Sequence, residues 1–313
     1  MKTIQSTSLN YPSEFKFDIR SQGIQHSDGT ISDKNKTVID MRTGRKLYDF
    51  VTGGHYNPIP HYKVFDMASE ELARNFKTDN ITVTDNLDKH DAHASREIIF
   101  NDYSANIKAS RKLHDTMSLK AKIVTSLDGL FPMRITFSIM RLACLNGMIT
   151  PDNFINASRK HTTGFDMNVF AKDLNKRSSV CLKTFSKDID LFKVLAKSNV
   201  KSILNVEHFF KRSICLDKSR SYDIEKQFNN ELFERMMREY RINTRFLGNT
   251  AWSVYNTLTH YSTHAQDSRW LPKHGNKSND LRVVDLREKA VAKTLESRAW
   301  FDFLNTCSVV QYN

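Results

Sequence analysis

Long apolar runs are missing from this chain. Nowhere do its 313 residues approach the roughly 18 to 20 uninterrupted apolar positions that a membrane span needs. The N-terminal MKTIQSTSLNYPSEFKFDIR likewise has no apolar centre of the kind a secretory leader carries. These absences argue against a membrane partner and point to the cytoplasm, which is the host cell cytoplasm if the protein is viral. Cysteine is sparse: Cys144, Cys181, Cys215 and Cys307 lie far apart with no C-x-x-C pair, which argues against a zinc ribbon and a disulfide framework. Reduced thiols, at least one in the core, are expected. The motifs of nucleotide-driven and zincin chemistry are also absent. There is no G-x-x-x-x-G-K-[ST], no G-x-G-x-x-G after a strand, no G-x-S-x-G and no H-E-x-x-H. Carboxylates are scattered, without the clustering of a two-metal nuclease. No cofactor is implied, and a non-catalytic role is the first expectation.

What is present is positive charge and aromatic bulk. The 20 Phe, 10 Tyr and 3 Trp supply enough apolar surface to exclude wholesale disorder. The net charge is +12, and the segment from Asn101 to Arg220 holds 21 Lys and Arg against 10 Asp and Glu, so nearly all of the surplus lies there. A concentrated surplus favours a polyanion, because each phosphate neutralised releases condensed counterions. A generally basic, well-solvated surface is the alternative.

Along the chain, residues 1 to about 50 are polar (IQHSDGTISDKNKT) and read as an N-terminal arm or irregular strands. A helix is expected to follow the Gly/Pro loop, with Val64, Phe65, Ala68, Leu72 and Phe76 on one side and Asp66 as N-cap. Strands are expected around Ile81 to Val83 and Ile98 to Phe100, then in SLKAKIVTS and FPMRITFSI across a Leu-Asp-Gly turn. Alternation puts Lys120 and Lys122 on one face of the third strand and Arg134 on the polar face of the fourth. That arrangement is a candidate basic face for phosphates, or else an ordinary solvent face. Beyond Ser138 the pattern reads as helical, with Gly147 as a C-cap. Further helices are expected at 152–159, 187–198, 200–213, 222–242, 249–266 and 284–304, the stretch 222–242 with an amphipathic stripe through Ile224, Phe228, Leu232, Met236 and Tyr240. The Gly/Pro/Asn stretch RWLPKHGNKSNDL reads as a flexible connection.

Several groups invite a chemical reading. Thr52-Gly53-Gly54-His55 could cradle a phosphate, or be a plain bend. His90, Asp91 and His93 could ligate a metal but lack a third ligand at fixed spacing. Arg159, Lys160 and His161 could touch phosphate. Phe209 and Phe210 beside Lys211 and Arg212, and Tyr103 near Lys108, Arg111 and Lys112, could stack bases while cations track a backbone, or the rings could be core.

Three separated segments carry a family resemblance. TSLDGLFPMRITFSIMRLACLNGMI, RKHTTG and NTAWSVYNTLTHYSTH are similar to the motifs of a phage- and plasmid-borne family known only as a domain of unknown function, number 932. The matching positions are Asp128, Gly129, Arg141, Cys144, Asn146, Gly147, Arg159, His161, Thr162, Gly164, Trp252, Tyr255, Asn256 and Thr259. One departure is His260, where many members carry Glu. The resemblance implies a mobile-element origin and a DNA-metabolism setting, but no established activity. Asn146, Trp252, Tyr255, Asn256 and Thr259 could line one polar cleft with Arg141 and His161, or serve as buried hydrogen-bonders and anchors.

The expectation is therefore an α+β fold: a central antiparallel sheet covered by helices and a helical C-terminal half. The expected division is an arm over 1–50, a core over 51–270 that matches the family, and a loop and helix over 271–313. The expected function is binding of nucleic acid, single-stranded DNA, in recombination or replication, with strand annealing as one form and a homo-oligomer as one assembly. A protein-interaction factor that binds host or virion proteins through the 222–242 helix, and a nuclease or nucleotide-processing enzyme using His161, Arg141 and Asn256, are the alternatives.

Overall fold

The computed structural model describes residues 2–51, 56–108, 114–129, 132–141, 146–148, 156–159, 162, 164–216, 228–264 and 281–309. Its main sheet has the strand order β1 (Lys2–Ser6), β5 (Ile81–Leu87), β6 (His93–Lys108), β7 (His114–Ser126), β8 (Met133–Arg141) and β10 (Asn156–Arg159), with β9 (Asn146–Met148) also paired to β8. The β1–β5, β5–β6, β8–β9 and β8–β10 pairs are antiparallel. A separate three-stranded sheet joins β2 (Ile19–Gln25), β3 (Ile31–Asp40) and β4 (Lys46–Val51). Helices α1 (His61–Phe76), α2 (Met167–Lys197), α3 (Ile203–Arg212), α4 (Asn230–Leu247), α5 (Ala251–Thr263), α6 (Leu281–Leu295) and α7 (Arg298–Thr306) place most helical residues in the C-terminal half. The fold is α+β, as the residue pattern predicts. No described helix is long and apolar enough to cross a membrane.

The chain divides into two compact units. One comprises Met1–Tyr103, Leu119–Phe137 and Ile155–Lys183; the other comprises Ser104–Ser118, Ser138–Phe154 and Thr184–Asn313. The division thus follows packing and not chain order. The first 50 residues are mostly strands: β1 adds to the main sheet beside β5, and β2 to β4 form the smaller sheet.

In the first unit, α1 buries the expected face, Val64, Phe65, Ala68, Leu72 and Phe76, together with His61 and Ser69. Phe76 stacks on Phe100 of β6 with ring centroids 4.1 Å apart, and Phe137 of β8 stands 6.1 Å away. Burial of this face is what holds the helix on the sheet, at roughly 1.5–3 kcal/mol per large apolar side chain. The N-cap position is Pro60, not Asp66; Asp66 lies inside the helix and pairs with Lys16 at 3.2 Å. Proline's fixed φ suits it to a helix start. On β8 the alternation reads as expected, with Met133, Ile135 and Phe137 buried and Arg134 and Thr136 half-buried.

The second unit is held by its helices. α5 is buried all round from Ala251 to His260, the pattern of a central helix. Its small polar side chains turn inward on the backbone: Thr257 Oγ1 donates to the Ser253 carbonyl at 2.8 Å and Ser262 Oγ to the Thr259 carbonyl at 3.0 Å. α4 buries Phe233, Met236, Met237, Tyr240, Asn243 and Leu247, so Met236 and Tyr240 of the expected stripe face inward and Leu232 sits at its edge. Ile224 lies outside the described residues. Ser202, Asn229 and Ser297 cap α3, α4 and α7 by accepting from backbone N–H groups.

Local pattern misleads at four places. Ser138–Arg141 and Asn146–Gly147 are strand, not helix: β8 runs on to Arg141 and pairs with β9, Arg141 opposite Asn146, and residues 142–145 lie outside the described residues. Ile139 and Met140 fit a helical spacing, but so short an apolar sample fits a continued buried strand equally well. Residues 156–159 form β10 on the edge of β8 in place of a helix over 152–159. The helix expected from 187 begins at Met167, and the one over 284–304 is two, broken at Glu296 and Ser297. The loop 265–280 lies outside the described residues.

Candidate nucleic-acid interface

The sheet face carries less free charge than its sequence suggests. Lys120 is only 5 % exposed and its Nζ lies 3.6 Å from Glu97; Nζ of Lys122 lies 3.0 Å from the same carboxylate. Lys120 first, and Lys122 after it, hold the Glu97 carboxyl down at about 2 against the cost of burial. Arg134 is half-buried and has neighbours of its own. The expected basic face is thus partly offset across strands, one acid shared by two lysines. Glu97 is the residue the sequence reading missed. Its position on β6 opposite the lysine strand was the available signal, once strand register is assigned.

Two of the family-like segments meet in the second unit, away from solvent. Arg141 Nε lies 2.8 Å from Asp115 Oδ1, and Trp252 Nε1 donates to Asp115 Oδ2 at 3.0 Å. Arg141 Nη1 reaches Asn256 Oδ1 at 3.5 Å, Asn256 Nδ2 donates to the Trp252 carbonyl at 2.8 Å, and Thr259 Oγ1 to the Asn256 carbonyl at 3.2 Å. Tyr255 lies parallel to Trp252 with centroids 5.5 Å apart, and Phe192 packs against both rings. Every one of these side chains is buried. Arg141, Trp252, Tyr255, Asn256 and Thr259 are thus brought together, but in a closed buried cluster and not an open cleft; His161, expected with them, lies outside the described residues. Asp115, its centre, carried no sequence signal. Asn146 lies on β9, which contacts α5. His260 stands 3.7 Å from buried Glu239 and stacks on His264.

The other motif residues gather in the first unit. Gly129 has φ 72, a conformation that favours glycine, and a β-carbon there would stand 3.2 Å from Tyr56 Cε2. Tyr56 forms an isolated antiparallel bridge with Thr162, and its hydroxyl donates to the Ser126 carbonyl at 3.4 Å. Burial first, and Asp128 after it, push the Tyr56 phenol well above its ordinary pKa. Asp128 also meets His93: Nε2 lies 2.5 Å from Asp128 Oδ2 and Nδ1 lies 3.1 Å from Asp88 Oδ2. With both ring nitrogens on carboxylates, His93 has none left for a metal ion. Among the described residues, no group of three or more His, Cys, Asp or Glu is arranged to hold one. Asp91 is likewise committed, to Lys2 at 3.2 Å and Arg45 at 2.6 Å.

The His93 clamp has a measurable consequence. Burial opposes the imidazolium, but Asp128 and Asp88 outweigh it and raise its pKa from 6.5 to about 9. The charged form is favoured in the folded state, so its stabilisation is fully present below about pH 6.5 and fades as pH rises through 9. Discounted for partial exposure, it amounts to about 2 kcal/mol. His93→Gln is expected to lower stability by that amount at pH 6, with the deficit shrinking by pH 9.5; urea titrations across pH check it.

Exposed cations with no ion-pair partner among the described residues lie elsewhere. In the first unit, Lys172, Lys176 and Lys183 are exposed on α2, at spacings of four and seven that put them on one face. Arg159 is nearby in sequence but shares Asp173 with Arg177, at 3.8 Å and 2.9 Å. In the second unit, Lys197, Lys201 and Arg212 are exposed, and Lys211 Nζ lies 4.8 Å above the Phe233 ring. Phe209 and Phe210 are buried, Phe209 against Trp300 and Phe303, and Tyr103 packs edge-on against Phe76. These rings are core, so they are not free for stacking on bases. Lys160 and His161, with Gly53, Gly54, His55, Arg111, Lys112 and Cys144, lie outside the described residues.

A family model described as Domain of unknown function (DUF932) matches residues 51–295, well over half the chain. The chain belongs to the DUF932 family. The match takes in α1, the main sheet from β5 to β10, and the helices through α6. The DUF932 region thus includes both motif clusters, the Asp115 anchor and the His93 clamp. No curated protein and no solved structure matches the chain.

Proposed function

We propose that the protein binds nucleic acid, with single-stranded DNA as its substrate, and acts in recombination or replication by holding strands, without catalysis. The observation that carries this reading is the face of α2 on which Lys172, Lys176 and Lys183 stand exposed, with no ion pair to any of the three among the described residues. Cations so placed neutralise phosphates at little desolvation cost, and each contact made releases counterions. The concentration of the chain's surplus charge between Asn101 and Arg220 supports it. The mobile-element setting rests on the motif resemblance alone.

The test is a salt titration of binding to single-stranded and double-stranded oligonucleotides. The expected result is retention near 50 mM salt that weakens log-linearly as salt rises, with the single strand held tighter. Negligible retention of either strand at that salt contradicts the reading.

A second reading has one observation in its favour. Val169 and Val180, on the same side of α2 as the three lysines, are 51 % and 42 % exposed. A face of mixed valine and lysine also suits a protein partner or a second copy of this chain. Concentration-dependent self-association that persists at high salt, without DNA retention, would favour this second role.

A further inference from the structure

In the second unit, α4 turns Phe233, Met236, Met237, Tyr240, Asn243 and Leu247 inward. Its outer side carries arginine. Arg238, Arg241 and Arg245, at spacings of three and four, are exposed on one side of the helix over about 10 Å of its length. None of the three has an ion-pair partner among the described residues, whereas Arg235, one turn earlier, is taken by Glu231. Glu234 begins the same row and is exposed, again with no ion pair among the described residues. Phe246 follows Arg245 directly and lies one turn beyond Ile242, so its ring flanks the arginine row at the end of α4. It is 64 % exposed, while Phe209, Phe210 and Phe233 of the same unit are buried. The backbone beneath it is fixed. Gly248 N–H donates to the Thr244 carbonyl at 3.0 Å, Val200 N–H to the Asn249 carbonyl at 3.0 Å, and Asn249 Nδ2 to the Val200 carbonyl at 3.1 Å. Those bonds also bring exposed Lys201, the neighbour of Val200, to this end of the helix.

A guanidinium grips phosphate through its planar fork, and an exposed ring offers a base a face to stack on. A partner with anions but no flat apolar surface would leave Phe246 in water. A wholly apolar partner would strip water from three guanidinium groups and give them no counter-charge. A single strand supplies phosphates and unstacked rings together. We propose that this face of α4 holds a stretch of single strand, with phosphates on Arg238, Arg241 and Arg245 and one base stacked on Phe246. The proposal rests on the nucleic-acid reading and deepens it. In a duplex the bases already stack on one another, so the ring favours the single strand, which the lysines of α2 by themselves do not.

The experiment is fluorescence anisotropy of labelled single-stranded and double-stranded oligonucleotides titrated with the full chain, as wild type, Phe246→Ala, Phe246→Trp and Arg238→Gln/Arg241→Gln/Arg245→Gln. Phe246→Ala is expected to weaken the single strand about tenfold and to leave the duplex unchanged. Phe246→Trp, which keeps a ring, is expected to hold the single strand as wild type does. The arginine variant is expected to flatten the log–log salt slope for the single strand by about 2, at about 0.7 for each contact. The substituted side chains are exposed, so the thermal transition of each variant should stay that of wild type. Unchanged single-strand affinity in Phe246→Ala overturns the proposal. Equal losses for both strands, equal losses in both Phe246 variants, or an unchanged slope in the arginine variant do so as well. If wild type retains oligonucleotides yet gives any of those results, the α4 assignment alone fails and the α2 face stands. If wild type retains no oligonucleotide at 50 mM salt, the nucleic-acid reading fails and this proposal with it; self-association that Phe246→Ala then abolishes would assign the face to a second copy of the chain.

Discussion

Arg96→Met is expected to lower the unfolding free energy by about 3–5 kcal/mol, the cost of leaving a buried charge without its partner. Arg96 has no exposed surface, and Nε and Nη2 grip Asp85 at 2.7 and 2.9 Å. Nη1 donates to the Leu9 carbonyl at 2.5 Å and to Ser69 Oγ at 2.7 Å, so one guanidinium ties the N-terminal segment to β5, β6 and α1. Its plane lies near the rings of Tyr11, at 5.1 Å, and Phe65, at 5.8 Å. Burial pushes the Asp85 carboxyl above its ordinary pKa even with Arg96 present. Without Arg96 that push is unopposed, and Asp85 must either protonate or remain charged in an apolar site. The deficit is therefore expected to grow as pH rises and to narrow in acid, where Asp85 enters the folded state neutral. The double variant Asp85→Leu/Arg96→Met is expected to recover most of the loss. Urea denaturation of the wild type and the two variants at two pH values checks the whole set; equal losses by Arg96→Met at both pH values would contradict the buried-pair account.

Asp115→Ala is expected to cost a similar amount, about 3–5 kcal/mol, in the second unit. It removes the acceptor of the buried Trp252 N–H and the counter-charge of Arg141 together. Asp115→Asn keeps an oxygen for the indole but not the charge, so an intermediate loss is expected. These variants also separate an anchor from a binding cleft. An anchor loses stability while the fraction that remains folded binds DNA as wild type does. A cleft keeps its stability and loses binding. The closed geometry predicts the first outcome, read by oligonucleotide retention well below the variant's transition temperature.

How far the sequence could be read depended on whether the deciding force was local. The alternation of Met133, Ile135 and Phe137 and the one-sided face of α1 reflect burial of a repeating face, and both are visible in a window of a few residues. The grouping of Arg141 with Trp252 and Asn256 was legible only as a motif. Its closure around Asp115 was not, because Asp115 lies 137 positions from Trp252. Glu97 and the carboxylates around His93 were invisible for a related reason: charge counted along a chain ignores which acid folds onto which base. The continuation of β8 past Ser138 was lost because apolar residues with helical spacing also suit a strand buried on both faces. The exposed lysines of α2 were counted in the surplus but not assigned to one face, since the helix was expected to start twenty residues later.

In the proposed binding role, phosphate is expected to meet the helix face carrying Lys172, Lys176 and Lys183, not the sheet where Lys120 and Lys122 share Glu97. The most direct measurement is the salt dependence of single-stranded DNA binding by Lys172→Glu/Lys176→Glu/Lys183→Glu beside Lys122→Met. Each lost phosphate contact should flatten the log–log slope by about 0.7, so the triple variant is expected to lose about 2 from it and most low-salt retention, with Lys122→Met unchanged. Full retention by the triple variant, with binding abolished by Lys122→Met, would contradict the account.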